Sequence, residues 1–138
     1  MDRLIELNLE SLKHGLISSD KYFKTPVVIF NSASFCGYAV QFQEFQELFH
    51  DRKIIPVALP TNDFDSGEPG DDYELLQYYV SRYSIGFPIC RKTDSTHKIF
   101  SKYGAPKWNF NKYLFDRNHQ FVRRFDSDVN PKDLLQYV

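Results

Sequence analysis

The feature that most constrains this chain is a succession of three segments in its first half: Pro26-Val27-Val28-Ile29-Phe30, then Gly37 to Phe49, then Lys53-Ile54-Ile55-Pro56-Val57-Ala58-Leu59. The outer two are short apolar runs rich in β-branched residues, which read as buried strands. Between them Phe42, Phe45 and Phe49 recur at helical spacing, so they share one face of a helix. A strand, helix, strand succession calls for a parallel pair joined by a right-handed crossover. The chain is therefore expected to be an α/β protein whose reacting groups gather beyond the C-terminal ends of those strands.

The flanking segments complete the pattern. Leu4 to Leu12 alternates apolar and polar residues, His14-Gly15 marks a turn and Leu16-Ile17 resumes an extended run, which predicts an N-terminal β-hairpin. Pro60 to Gly70 holds turn-forming residues at almost every position and should be irregular. Asp71 to Tyr83 reads as a second helix with acidic residues in its first turn. Phe87 to Cys90 is a short extended piece, and His97 to Tyr103 a short helix ended by Gly104 and Pro106. Trp108 to Phe115 and Gln120 to Phe125 are expected strands joined by a hairpin turn at Asp116-Arg117-Asn118-His119. Pro131 to Val138 suits a terminal helix. With no linker or repeat, residues 1–138 are expected to form one domain: a thioredoxin-like arrangement with a central mixed β-sheet flanked by helices.

Composition narrows the function classes. The chain has 138 residues, 42% of them hydrophobic, enough for a core without metal or disulfide staples. Its net charge of −1, with acidic and basic residues interspersed, gives no reason to expect nucleic-acid binding. Two cysteines and four dispersed histidines, His14, His50, His97 and His119, predict neither a structural zinc site nor a bound cofactor. No run approaches the ~18 apolar residues of a membrane span. Met1 to Glu6 is too charged for the core of a signal peptide, so a cytoplasmic location is expected.

Cys36 stands between the first strand and the first helix, after Asn31-Ser32-Ala33-Ser34-Phe35. The unpaired N–H groups and positive dipole end of a helix stabilise a thiolate there, which makes Cys36 a candidate nucleophile. The competing reading is that of a small buried hydrophobe. Cys90, inside a short apolar run, is expected to be buried.

Four stretches then resemble the glutathione peroxidase family, in order and over nearly the whole chain. Asn31-Ser32-Ala33-Ser34-Phe35-Cys36-Gly37, followed by Gln41-Phe42 and Leu48, resembles the family's active-site stretch around its cysteine or selenocysteine. Leu59-Pro60-Thr61-Asn62-Asp63-Phe64 with Glu68-Pro69-Gly70 is similar to Phe-Pro-Cys-Asn-Gln-Phe and Glu-Pro-Gly. Phe87-Pro88 matches a Phe-Pro pair, and Lys107 to Leu114 resembles Lys-Trp-Asn-Phe-x-Lys-Phe-Leu. The resemblance implies that Cys36 is the peroxidatic sulfur and becomes a sulfenic acid. It further implies that Trp108 donates its indole N–H to that sulfur or to the peroxide, and that Asn109 supplies side-chain N–H donors to the thiolate and developing alkoxide. A core role for Trp108 and a turn role for Asn109 are the structural alternatives, the latter disfavoured by an extended run.

Three departures matter. The family's glutamine falls on Asp63, a carboxylate that accepts hydrogen bonds only and repels a thiolate. Asp63 is then protonated, turned away, replaced by Asn62, or merely a loop cap. The resolving cysteine of thioredoxin-dependent members falls on Tyr79 or Val80, leaving Cys90 as the only other thiol. The stretch between Pro88 and Trp108 is shorter than in tetramer-forming members, which predicts a monomer with a site open to bulky lipid hydroperoxides. The resemblance therefore implies a cysteine peroxidase reducing hydrogen peroxide and organic hydroperoxides, recycled by glutathione or a thioredoxin-type protein. The alternative from a different class is a redox-sensing or interaction protein whose weakened site forms a sulfenate or mixed disulfide with a partner.

Overall fold

A computed structural model describes residues 3–64 and 67–138. Its centre is a four-stranded mixed sheet in the order β4-β3-β5-β6, built from β3 (Val27–Phe30), β4 (Ile55–Ala58), β5 (Lys112–Phe115) and β6 (Phe121–Phe125). β3 pairs parallel with β4 and antiparallel with β5, and β6 is antiparallel to β5. Every residue of β3 and β5 is buried, as central strands covered on both faces require. The parallel crossover runs through α1 (Gln41–His50). Four residues of 3₁₀ helix, Gly37–Val40, precede α1, so the expected helix begins where predicted but with a tighter first turn.

Alternation along the strands sends side chains to two cores. Val28, Phe30, Ala58 and Leu114 meet Phe42 and Phe45 of α1, Tyr79 of α2 (Asp72–Tyr83), and Phe110. Phe30 stacks on Phe45 with ring centroids 4.0 Å apart. On the other face Val27, Ile29, Val57, Leu59 and Phe115 pack with Leu4, Leu7, Leu9, Ile17, Cys90 and with Ile99 and Phe100 of α3 (Lys98–Tyr103). α2 opens on a full capping box between Asp71 and Glu74 and closes at Ser84 in the left-handed conformation.

Two expected extended runs are shorter than the sequence predicts. The N-terminal hairpin is present, but only β1 (Glu10–Ser11) and β2 (Gly15–Leu16) pair. Ile5–Leu7 is a 3₁₀ turn, which puts Leu4 and Leu7, both fully buried, on one side. The expected strand from Trp108 begins only at Lys112. Residues 108–111 form a turn in which Phe110 takes the left-handed φ of 61°, so Asn109 lies in a turn and not in an extended run. The C-terminal helix is the 3₁₀ segment Pro131–Tyr137. Phe87 to Cys90 is extended, with isolated bridges from Ile89 to Ala58 and from Cys90 to Ser11.

Candidate active site

Three loops leave the same end of the sheet and are laced together. The segment after β3 hydrogen-bonds the one after β4: Ser32 N donates to Leu59 O at 3.1 Å and Thr61 N to Ser32 O at 3.1 Å. Farther along, Phe35 N donates to Gly67 O at 2.8 Å. The third loop, the turn before β5, is held by Asn31. Its Nδ2 donates to Trp108 O and its Oδ1 accepts from Asn111 N, both at 2.8 Å, while its carbonyl accepts from Phe110 N at 2.8 Å. One wholly interior asparagine thus fixes the backbone on both sides of Asn109. Gly67 lies where the three loops cross, since a side chain there would meet the Cβ of Ala33 and the Nδ2 of Asn109, each at 3.2 Å.

Cys36 is half-buried at the N-cap of the Gly37–Val40 turn, with extended dihedrals of −134° and 144°. Its carbonyl accepts from Ala39 N at 2.9 Å, so the helix begins directly after the sulfur-bearing residue. Asn109 is buried: its Nδ2 lies 3.5 Å from Phe64 O, and its Oδ1 has no partner. Trp108 is 39% exposed and its ring meets that of Phe64 at 5.4 Å, so it belongs to the rim and not the core. Asp63 is exposed at the turn preceding Phe64. Asn62 is committed elsewhere, its Oδ1 accepting from Glu68 N at 2.8 Å.

The two helix positions that align with a resolving cysteine differ in setting. Tyr79 is fully buried and Val80 is exposed. Cys90 is 1% exposed in the opposite core, and burial pushes its thiol up to about 12. Among the described residues, no group of three His, Cys, Asp or Glu side chains could hold a metal ion, and no helix is long and apolar enough to cross a membrane.

Sequence reasoning missed the supporting residues. Asn31 and Glu68 belong to recognised stretches but carried no assigned part. Lys112, which lies in an expected strand, is fully buried, its Nζ donating to Ser127 O at 2.8 Å, and burial lowers it to about 7 despite Asp128, Glu44 and Asp126. Ser127 also accepts from Asn111 Nδ2 at 3.1 Å and donates to Asn109 O. A cationic residue inside an apolar run, as in Phe110-Asn111-Lys112-Tyr113, is the signal that could have marked it.

Comparison with known proteins identifies the family. Residues 4–103 match the family model described as glutathione peroxidase. The chain is 33% identical over 129 residues to the glutathione peroxidase-like peroxiredoxin 2 of Saccharomyces cerevisiae, covering 81% of this chain and 80% of the relative. It is 30% identical over 130 residues to the hydroperoxy fatty acid reductase gpx1 of Synechocystis, covering 78% and 77%. Among solved structures, a thioredoxin-like protein from Aeropyrum pernix superposes with a TM-score of 0.69 at 13% identity, covering 94% of this chain and 88% of that one. The T. cruzi GPX1 structure gives 0.63 at 21% identity, covering 93% and 88%. With a cysteine at the head of the first helix of a thioredoxin-like fold, and a family match over most of its length, this chain belongs to the glutathione peroxidase family and is a thiol-dependent peroxidase.

Proposed function

We propose that Cys36 is the reacting sulfur and that Trp108, Asn109 and the Asp63 loop form the wall of its site. The observation that carries this reading is the convergence of three loops on Gly67, which brings the Cys36 segment, the Asp63-Phe64 turn and Asn109 to one sheet end. The Cys36 thiolate attacks the terminal oxygen of a hydroperoxide. The O–O bond breaks, the sulfur becomes a sulfenic acid, and the leaving alkoxide takes a proton to become the alcohol. One external thiol then condenses with the sulfenic acid, releasing water and leaving a mixed disulfide on Cys36. A second thiol displaces it as a disulfide and returns Cys36, so the reducing equivalents come from thiol alone and no bound cofactor takes part.

Both hydrogen peroxide and organic hydroperoxides fit this scheme. Phe35, Val40 and Trp108 are exposed around the cysteine segment at 66%, 76% and 39%, an apolar rim suited to the tail of a lipid hydroperoxide. A cleft of about 320 Å³ beside it, lined by Ser34, Phe35, Glu68, Pro69, Leu75 and Tyr78, gives the reductant an approach. Glutathione or a thioredoxin-type protein serves as that reductant, acting on a cytoplasmic monomer. The test is peroxide consumption measured in parallel with glutathione and with thioredoxin plus its reductase. Turnover with either, lost in Cys36→Ser, is the expected result. A single stoichiometric oxidation without turnover would favour a sensing role instead.

A further inference from the structure

Glu68 is a wholly buried carboxyl group to which the peroxide and thiol steps give no task. It sits one residue after Gly67, against the loop that ends at Cys36. The hydroxyl of Tyr79, from α2, reaches both Glu68 Oε2 and Ser32 Oγ, the latter at 2.8 Å. Ser34 also lies against this carboxyl. Ser34 Oγ and Glu68 Oε1 are both buried there. Four side chains from three elements therefore share one interior site, under the two serines that precede the sulfur by four and two residues.

A phenol has one proton, and here it has two oxygen neighbours. With Glu68 ionised, Tyr79 donates to the carboxylate and Ser32 donates to Tyr79. With Glu68 protonated, the acid donates to Tyr79 and Tyr79 donates to Ser32. The chain of hydrogen bonds thus has a direction, and the proton on Glu68 sets it. In one direction the Ser32 hydroxyl spends its proton inward, and in the other it is free to donate elsewhere in the loop.

The charged and titratable groups facing Glu68 are few. Lys92 attracts its carboxylate, with Nζ anchored to Gly70 O at 2.9 Å. Tyr79 and Tyr83 feel it from α2, and desolvation holds the Tyr79 hydroxyl well above its ordinary range. Burial raises Glu68 itself above the ordinary carboxyl range, opposed by Ser34, Tyr79 and Lys92. Tyr79 therefore passes on the state of Glu68 without ionising.

We propose that Glu68 is a positioning residue for Cys36: through Tyr79 it sets the hydrogen-bond direction of Ser32, and directly it holds Ser34, the inward side chains of the loop that carries the sulfur. This rests on Cys36 being the reacting thiol, and it adds a group that acts on the loop without touching peroxide.

The test is the pH profile, from about pH 4.5 to 9, of the single-turnover rate constant for hydrogen peroxide with reduced protein, read by mass spectrometry of Cys36. Wild-type protein should show two ionisations, one from the thiol and one from Glu68. Glu68→Gln, which cannot change its proton count, should show only the thiol step. Tyr79→Phe, which cuts the chain but leaves the carboxyl in place, should also lose the second step and slow the reaction by roughly tenfold. Melting temperatures of both variants are measured alongside. Profiles that coincide in all three proteins, or variants that change melting temperature alone, overturn the proposal. If wild-type Cys36 does not react with peroxide at all, the assignment of the reacting sulfur fails first, and that outcome is read from the wild-type curve alone.

Discussion

Cys36 and Cys90 stand on opposite faces of the same sheet and have opposite surroundings. Cys36 is half-buried where a strand hands over to a helix, packed at the edge of the core that holds Phe42, Phe45, Tyr79 and Phe110. Cys90 is enclosed by Leu9, Ile17 and other apolar side chains, bonded through its backbone to Ala58 and bridged to Ser11. The difference between the two thiols is one of placement, and that is what a comparison of their reactivities tests. A helix start offers N–H groups and solvent to a thiolate, whereas an apolar interior offers neither.

The sharpest way to break this comparison is to exchange each sulfur for oxygen. Cys36→Ser should remove peroxide turnover to the detection limit, a loss of at least about 1000-fold, because a hydroxyl cannot cycle through a sulfenic acid. Its melting temperature should stay near wild type. Cys90→Ser should do the reverse: activity is retained, and the buried hydroxyl costs about 1–3 kcal/mol of stability in denaturant titrations. Loss of turnover in Cys90→Ser at a temperature where it remains folded would overturn the division of labour.

Oxidation chemistry tests the same contrast without mutation. After one equivalent of peroxide, peptide mapping should find oxidation at Cys36, with Cys90 intact. An internal disulfide needs Cα atoms within about 7 Å, and two cysteines in opposite cores cannot meet without opening the sheet. The sulfenic acid should persist until added glutathione converts it to a mixed disulfide. A Cys36–Cys90 disulfide within one chain at near-stoichiometric yield would sink the external-thiol mechanism.

The active face should also carry the pH dependence of stability. Lys112 titrates near 7 in the folded chain against an ordinary 10.5, so the folded state binds fewer protons between those values. Stability should therefore rise with pH from about 7 to 10.5, by roughly 2 to 4 kcal/mol from this group, and be flat below 7 as far as Lys112 is concerned. Lys112→Met should abolish that rise in denaturant titrations, whereas Cys90→Ser should leave it in place up to about pH 10.

The same division explains what could be read from the sequence. The apolar face and the parallel crossover were legible because hydrophobic periodicity reports burial directly: Phe42 and Phe45 fell on the buried side of α1, and Val27 to Phe30 formed the central strand. The position of Cys36 at the head of the first helix was legible because a strand-to-helix junction is visible in composition. The turn at residues 108–111 was not. Its aromatic residues look like a strand, and what bends it is Asn31, 77 residues away from Trp108, whose side chain replaces a ladder partner. Glu68 and Lys112 were likewise hidden, since a buried charged group is identified by its long-range partners and not by its neighbours in sequence.

Asp63 marks the point where this site departs from the pattern it resembles, and the smallest effect is expected there. It is exposed, so water screens its charge, and a carboxylate at the rim weakens a thiolate far less than one facing it in a dry pocket would. Asp63→Gln removes that repulsion and supplies an N–H donor that can turn toward the sulfur. The rate constant for peroxide attack should rise severalfold, equivalent to about 1 kcal/mol or less, and the gain should shrink as salt is raised from about 0.01 to 1 M. A matched Asp63→Asn separates the two contributions, because it removes the charge while leaving the amide one methylene short. If Asn gives the whole gain, repulsion was the cost; if only Gln does, reach was. An unchanged or lower rate in both would mean that Asp63 faces away from the sulfur or lends it a proton, and the loop after β4 would then lose its place in the site.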